Sequence, residues 1–486
     1  MKFNIFKPAF SLMLAFLLTA TIILSLELLS ARADNATVTT SIRASLRSGA
    51  AVFPESFDRN LRTGFDTWTN CLVLNIATYG QKDLISALTR SNLVALRDEL
   101  HPCTELDAKL GGSLTGGSLT EIQAKVVDYW RYWWGSAALL NIAIGFFGLT
   151  LPFYQTTLKA ITYAAILLTV CTAFIRYRRA AWPFLPVAVA LTFGFAIPLF
   201  GQSIAHAPGL IIGMLFLSVY MAVGIDRASL RWQFLYLFFA GGLGFYFDLF
   251  NGDIIATLIC FALLRLLSTS ASAPPQISWP ALLARLPITT AVVHVIAAYV
   301  AGAVSMALFR IALRAILLRQ DLFAVVSEWL AQLSGYTTID LWAVWQLSRH
   351  TSNQVAASAP LTEKGLSAAI LPDWLDKFAH RCCYTATFPY IGEHGTVLLY
   401  TLCGLIYLAI GTWLLWYRQK FEIALTDRVL PAFLIAFIIP LWYSLFMLHA
   451  FIHYWIMGRL LSLFFSFGPS IVLIIRFNLR PRPVSS

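Results

Sequence analysis

Four clusters along the chain hold residue types able to do chemistry. The first, SFDRNLRTGFDTWTNC at 56–71, carries Asp58 and Asp66 beside Phe65 and Trp68. A carboxylate in such a setting can act as a general base and take a proton from an attacking hydroxyl. Burial would raise its pKa and a nearby Arg would lower it. The bland alternative is that either Asp caps a following helix. The second, YWRYWWG at 129–135, sets Arg131 among aromatic rings. Arg grips phosphate in a fork, and the rings could stack on a sugar; a plain aromatic belt at headgroup level is the alternative. The third, FDLFNGD at 247–253, holds Asp248 and Asp253 at the end of an apolar run. Asp248 could orient a substrate hydroxyl, pair with an Arg or help bind a cation. Helix termination at Asn251-Gly252, with solvated carboxylates, explains the same residues. The fourth, MLHAFIHYWIMGR at 447–459, spaces His449 and His453 four apart, on one helix face, with Arg459 following. Such a pair can hold zinc, yet HAFIH has no acid to serve as a metalloprotease base. Holding a phosphate or donating a proton to a leaving group fits better, with two satisfied core histidines as the alternative. The sequence has no P-loop, no G-x-S-x-G elbow, no paired C-x-x-C and no dinucleotide fingerprint.

The elements that must position these clusters are membrane spans. Of 486 residues, 58% are hydrophobic and 12% charged, and the mean hydropathy is +0.72. A disordered chain, a coiled coil and an ordinary cytosolic enzyme are excluded. The net charge of +11 orients spans rather than binding nucleic acid. Seven cysteines are too few for a disulfide scaffold.

A helix needs roughly 20 apolar residues to cross the hydrocarbon core. Phe10–Leu29 is the first candidate. Ala31-Arg32-Ala33 after it resembles a signal-peptidase site, but the apolar run is longer than a signal peptide requires, which favours an uncleaved anchor. A polar segment follows to about Trp134, with tandem GGSLT copies at 111–120 and with Cys71 and Cys103, a candidate disulfide in an oxidising compartment or else two buried thiols. Ser136–Leu151 is apolar but short and reads as an interfacial or re-entrant helix ended by Pro152; were it a span, Arg176, Arg178 and Arg179 would fall outside. Further spans are expected at Thr157–Ile175, Trp182–Phe200, Gly209–Val223, Phe234–Phe247, Ile254–Leu267 and Ile288–Phe309. A second polar segment covers about Arg310–His394, including the amphipathic stretch Leu322–Leu333 and Cys382-Cys383. Spans at Thr396–Trp416, Val429–Leu448 and Leu460–Ile475 complete the chain. The expected fold is thus an all-α polytopic membrane protein with about ten transmembrane helices and two large periplasmic segments, 30–156 and 310–395. Both termini are cytoplasmic, because the short inside loops are rich in Lys and Arg and the short outside loops hold almost none. All four clusters then face the outer edge of the membrane.

A first span, a long outer segment with an early carboxylate and then many spans resembles the GT-C glycosyltransferases, whose members use polyprenyl-phosphate sugars. These include protein O-mannosyltransferases, lipid A aminoarabinose transferases and mycobacterial arabinofuranosyltransferases. GFDTWTNC, RYWWG, YFDLFNG and HAFIHYWIMGR look like motifs of bacterial membrane proteins of this type. The resemblance covers the topology and these four motifs. It implies Asp66 as general base, with Asp58 as second choice, and Arg131, Asp248, His449, His453 and Arg459 as donor-binding residues. Trp134 stands where the pattern expects His. The resemblance further implies inversion at the anomeric carbon and polyprenyl phosphate as leaving group.

The residues agree with that chemistry. A site outside the cytoplasm has no nucleotide-sugar pool and needs a lipid-linked donor, one base and one cationic phosphate site. The expected partners are such a donor, a glycan, lipid or protein acceptor, and membrane lipids. A divalent cation is compatible with the acids but not required by them. The rival readings are a polysaccharide polymerase or ligase, a membrane O-acyltransferase using His449 or His453 as base, and a transporter, which would bring inverted repeats and broken helices at mid-membrane; no internal repeat links the two halves.

Overall fold

The computed structural model describes residues 6–51, 67–79, 84–89, 92–94, 103–104, 106–108, 110, 126–128, 135–194, 201–248, 252–268, 287–327, 405, 409, 430–445 and 459–478. These residues are mostly helical. In chain order the helices are α1 (Phe6–Arg32), α2 (Asn35–Arg47), α3 (Thr67–Tyr79), α4 (Leu84–Thr89), α5 (Gly135–Gly145), α6 (Leu151–Tyr177), α7 (Leu185–Val189), α8 (Ala207–Ala222), α9 (Leu230–Phe247), α10 (Asp253–Ser268), α11 (Pro287–Leu317), α12 (Leu430–Leu445) and α13 (Arg459–Asn478). A short antiparallel ladder pairs β1 (Asn92–Val94) with β2 (Val126–Asp128), Leu93 opposite Val127. Among the described residues, three helical stretches are long and apolar enough to cross a membrane: Phe10–Arg32, Leu151–Phe193 and Ala291–Leu317.

Polar contacts sort the helix ends into two groups. At one end, the Asp226 side chain is fully buried. It accepts hydrogen bonds from Arg176 Nη2 and the Tyr177 hydroxyl, both at 3.1 Å. Arg265 and Gln233 donate to the Asp226 carbonyl oxygen, and Arg231 donates to Ser11. The start of α1, the end of α6, the start of α9 and the end of α10 therefore meet there. At the other end, Asn141 Nδ2 donates to Ser30 Oγ (3.1 Å), the Ser136 hydroxyl to the Ala205 carbonyl (3.2 Å) and the Tyr246 hydroxyl to Glu27 Oε1 (3.1 Å). Helices α1 and α9 thus run from the Asp226 end to the Asp248 end, and α6 and α10 run the opposite way. The same alternation follows from charge along the sequence, where Arg clusters recur after every second span.

Among the described residues there are two large apolar cores and one small cluster. The larger fills the bundle, with Tyr220, Tyr246, Phe261, Tyr299 and Phe467 all buried. The smaller lies at the Asp248 end and joins α2, α3, α5 and the first turns of α6 and α8. Cys71 and Cys103 sit within it, joined as a disulfide with a Cα–Cα distance of 5.3 Å. Asp34 caps α2 by accepting from the Ala36 and Thr37 backbone N–H groups. The Thr37 hydroxyl, with the Ala36 N–H, holds its carboxyl below the ordinary range.

Several element limits differ from those read in the sequence. The run expected at Ser136–Leu151 is helical only over Gly135–Gly145, and seven of those residues are buried. Pro152 does not end that run but opens α6, where its missing N–H goes unused. The stretch from Trp182 is a 3₁₀ turn, the short α7 and a π turn at Ala190–Gly194, after a break at Arg178 with φ +52°. Helix α11 runs eight residues past Phe309 to Leu317, because Arg310 and Arg314 are buried against neighbouring elements rather than exposed in a loop. Residues 322–327 are helical, and Val325 packs back on Ile311 and Ala315.

Candidate functional site at the Asp248 end of the bundle

Asp248 follows α9 directly. Its own N–H donates to the Gly244 carbonyl at 2.9 Å, and its Oδ2 accepts from the Ile254 N–H at 2.8 Å. One side chain thus closes the turn between α9 and α10 and satisfies a donor in the first turn of α10. Asp253 opens α10; both acids are buried, at 4% and 2% exposure. They are therefore not the solvated surface carboxylates that helix termination alone would leave. Gly252 takes φ +98°, a left-handed value that favours glycine. A Cβ there would stand 2.9 Å from Leu460 Cδ1. Gly252, just before α10, therefore rests on the first turn of α13, the helix that Arg459 begins.

The loop before α8 is tied to α3. Asn70 is fully buried, and its Oδ1 accepts from the Ser203 hydroxyl (3.1 Å) and the Ala205 N–H (3.2 Å). The loop at 201–206 leads into α8, and a Cβ on Gly209 would stand 3.4 Å from the Phe247 carbonyl oxygen and 3.7 Å from Asp248 Cα. Gly135, which closes the RYWWG motif, lies against the same place: a Cβ on it would meet the Tyr246 ring at 2.6 Å and the Phe247 ring at 2.7 Å. The element after Asp66, the residue after Trp134, the Asp248 turn and the start of α13 are thus brought to one end of the bundle.

Of the residues singled out in the sequence, Asp248, Asp253, Cys71 and Cys103 are seen with their side chains, and Arg459 is placed by its backbone. Asp58, Asp66, Arg131, His449 and His453 lie outside the described residues.

The structure adds groups that the motifs do not contain. Glu27 in α1 is buried and accepts from Tyr246, with Arg310 acting on it electrostatically. Arg314, one turn beyond Arg310, donates to the Thr89 carbonyl at 3.0 Å and so fastens α4 to α11. An acid inside an otherwise apolar span is a functional signal on cost alone, so Glu27 could have been found from the sequence. Among the described residues, no group of three or more His, Cys, Asp or Glu side chains comes together as a metal site.

No family model, curated protein or solved structure matches the chain.

The chemistry open to this end follows from its parts. It gathers three buried carboxylates (Glu27, Asp248, Asp253) and two buried guanidiniums (Arg310, Arg314). Such a mixed set can orient hydroxyl groups and hold an anion where water is scarce.

Proposed function

We propose that this chain is an integral membrane glycosyltransferase. It moves a sugar from a polyprenyl-phosphate donor to a cell-envelope acceptor, with the Asp248 end facing the periplasm of a bacterial inner membrane and both termini in the cytoplasm. The reading is supported by one observation above the rest: α3, the Asp248 turn and the start of α13 meet at one end of the bundle through the Asn70, Gly209 and Gly252 contacts. Described residues at the edge of each sequence cluster, Asn70, Gly135, Asp248 and the first turn of α13, lie at that end.

In this reading Asp66 takes the proton from an acceptor hydroxyl. The hydroxyl oxygen attacks the anomeric carbon, the bond from that carbon to the phosphate oxygen breaks, and the electron pair leaves with the polyprenyl phosphate. Attack opposite the leaving group inverts the anomeric centre. Arg131, His449, His453 and Arg459 stabilise the departing phosphate, and Asp248 orients a sugar hydroxyl. The prenyl tail lies among the spans.

The test is transfer from a synthetic polyprenyl-phosphate sugar by the protein in membranes. Asp66→Asn is expected to reduce turnover at least about 100-fold, the usual contribution of a positioned base, while expression and thermal stability stay unchanged; Asp58→Asn is expected to leave most of the activity. Normal transfer by Asp66→Asn removes Asp66 as the base. Turnover of an acyl donor, with none of a sugar donor, replaces the glycosyltransferase with an acyltransferase.

A further inference from the structure

The Glu27–Tyr246 hydrogen bond belongs to none of the proposed catalytic steps, yet it sits where several of their supports meet. The Tyr246 hydroxyl donates to Glu27 Oε1 at 3.1 Å, linking residues 219 positions apart in sequence, on α1 and α9. Both groups are buried, and Arg310 on α11 acts on the same carboxylate. Tyr246 is two residues before Asp248, and its ring lies against Gly135 at the head of α5. A group buried among three helices has no solvent role, and in a lipid-spanning bundle its polar pairing must be met internally.

We infer that Glu27 is a positioning residue: through the Tyr246 hydroxyl it fixes the last turn of α9, and with it the Asp248 carboxylate on one side and Gly135 at the head of α5 on the other. The inference rests on the glycosyltransferase reading for its consequence in turnover, but not for its consequence in structure. The geometry explains why two motifs carry the residues they do. The glycine of RYWWG is the residue that lets the Tyr246 and Phe247 rings approach α5, since a Cβ would stand 2.6 Å from one and 2.7 Å from the other. The Tyr of YFDLFNG reaches α1. Without that hydroxyl bond the last turn of α9 loses its tie to α1, and the Asp248 Oδ2 to Ile254 N–H bond loses its fixed base.

The experiment uses the full-length protein in nanodiscs with three variants: Tyr246→Phe, Glu27→Leu and Glu27→Gln. The first two remove the hydrogen bond. The third keeps an oxygen that accepts from the tyrosine. Two readouts are taken. Amide hydrogen exchange at Ile254 is expected to speed up about tenfold in Tyr246→Phe and Glu27→Leu and to change less than about threefold in Glu27→Gln, with the region around Asp226 unaffected. Turnover from the polyprenyl-phosphate sugar is expected to fall about tenfold in kcat, with donor KM within about threefold, in the same two variants, because the misplacement acts on oriented groups. Unchanged exchange and unchanged kcat in Tyr246→Phe overturn the inference. A fall in thermal stability with normal kcat per folded molecule also overturns it. So does Glu27→Gln failing as badly as Glu27→Leu, since the charge facing Arg310 and not the bond to Tyr246 would then do the fixing. If Glu27→Leu does not accumulate, Tyr246→Phe, which removes a single oxygen, decides. Absence of transfer by the wild-type protein would sink the glycosyltransferase reading alone, and the exchange measurement would still decide the positioning.

Discussion

At the scale of single residues, the polar groups that hold the Asp248 end together matter more than their number suggests. Asn70 uses one oxygen to satisfy two donors, the Ser203 hydroxyl and the Ala205 N–H, in a fully buried setting. Asn70→Leu leaves both donors unpaired and is expected to cost about 2–3 kcal/mol, the penalty for stranding buried polar groups. Ser203→Ala leaves the Ala205 bond in place but removes the acceptor of the buried His206 N–H, and is expected to cost about 1–2 kcal/mol. Unfolding midpoints in detergent check both, and equal stability of Asn70→Leu and wild type would show that α3 is docked by its apolar face alone. Little of this was legible beforehand. Asn70 lies inside a motif read for its aspartate, and its partners are 133 and 135 positions away; no local pattern in the sequence reports such a distance. Asp248 was legible, because an acid at the end of an apolar run is costly and stands out. Glu27 has the same cost but is averaged away in a hydropathy window, since the helix around it is long and apolar throughout. Asp226 was hidden for another reason: beside Arg227 and Arg231 it reads as part of a charged inside loop, whereas its side chain is wholly buried under Arg176 and Tyr177.

At the scale of elements, the sequence identifies helices well and their ends less well. The run expected at Gly209–Val223 is a helix at Ala207–Ala222, and that at Ile254–Leu267 is one at Asp253–Ser268. At 16 residues each, both are shorter than the roughly 20 that a straight span requires. Hydropathy says nothing of which helices touch. The pair α9 and α11 packs by close backbone approach. A Cβ on Gly241 would fall inside the van der Waals surface of the Tyr299 carbonyl oxygen, and one on Gly302 inside that of Phe238. Glycine is required at both positions for this approach, the usual basis of tight pairing between spans. Gly242 differs, because a Cβ there would meet side chains, Thr19 at 2.8 Å and Met306 at 3.1 Å. Gly241→Ala and Gly302→Ala are each expected to destabilise by about 2–3 kcal/mol, at the upper end of overpacking costs, and Gly242→Ala by about 1 kcal/mol or less. Thermal unfolding of the three variants side by side tests the contrast. The same cost at all three positions would mean that the helices part freely and that backbone contact does not set their spacing.

At the scale of the whole molecule, the two ends differ in chemistry, and that difference supports the compartments proposed for them. The Asp226 end carries Arg176, Arg178, Arg179, Arg227, Arg231 and Arg265 around a fully buried acid. The Asp248 end carries the smaller core, the Cys71–Cys103 disulfide and the buried acids. Lys and Arg accumulate on the cytoplasmic side, and disulfides persist where the surroundings are oxidising. Both rules point the same way, although one acts during insertion and the other after it. Single cysteines introduced at Arg47, more than half exposed on α2, and at Arg227, also more than half exposed, separate the two faces. With a membrane-impermeant maleimide on intact spheroplasts, the Arg47→Cys protein is expected to label fully. The Arg227→Cys protein is expected to label only after permeabilisation, with the wild-type chain as background for the native thiols. Cys71 and Cys103 are expected to resist alkylation until a reductant is added. The reverse labelling pattern would put the Asp248 end in the cytoplasm. There, soluble nucleotide-linked sugars are at hand and the disulfide would be reduced, so the need for a lipid-linked donor would vanish along with the periplasmic site.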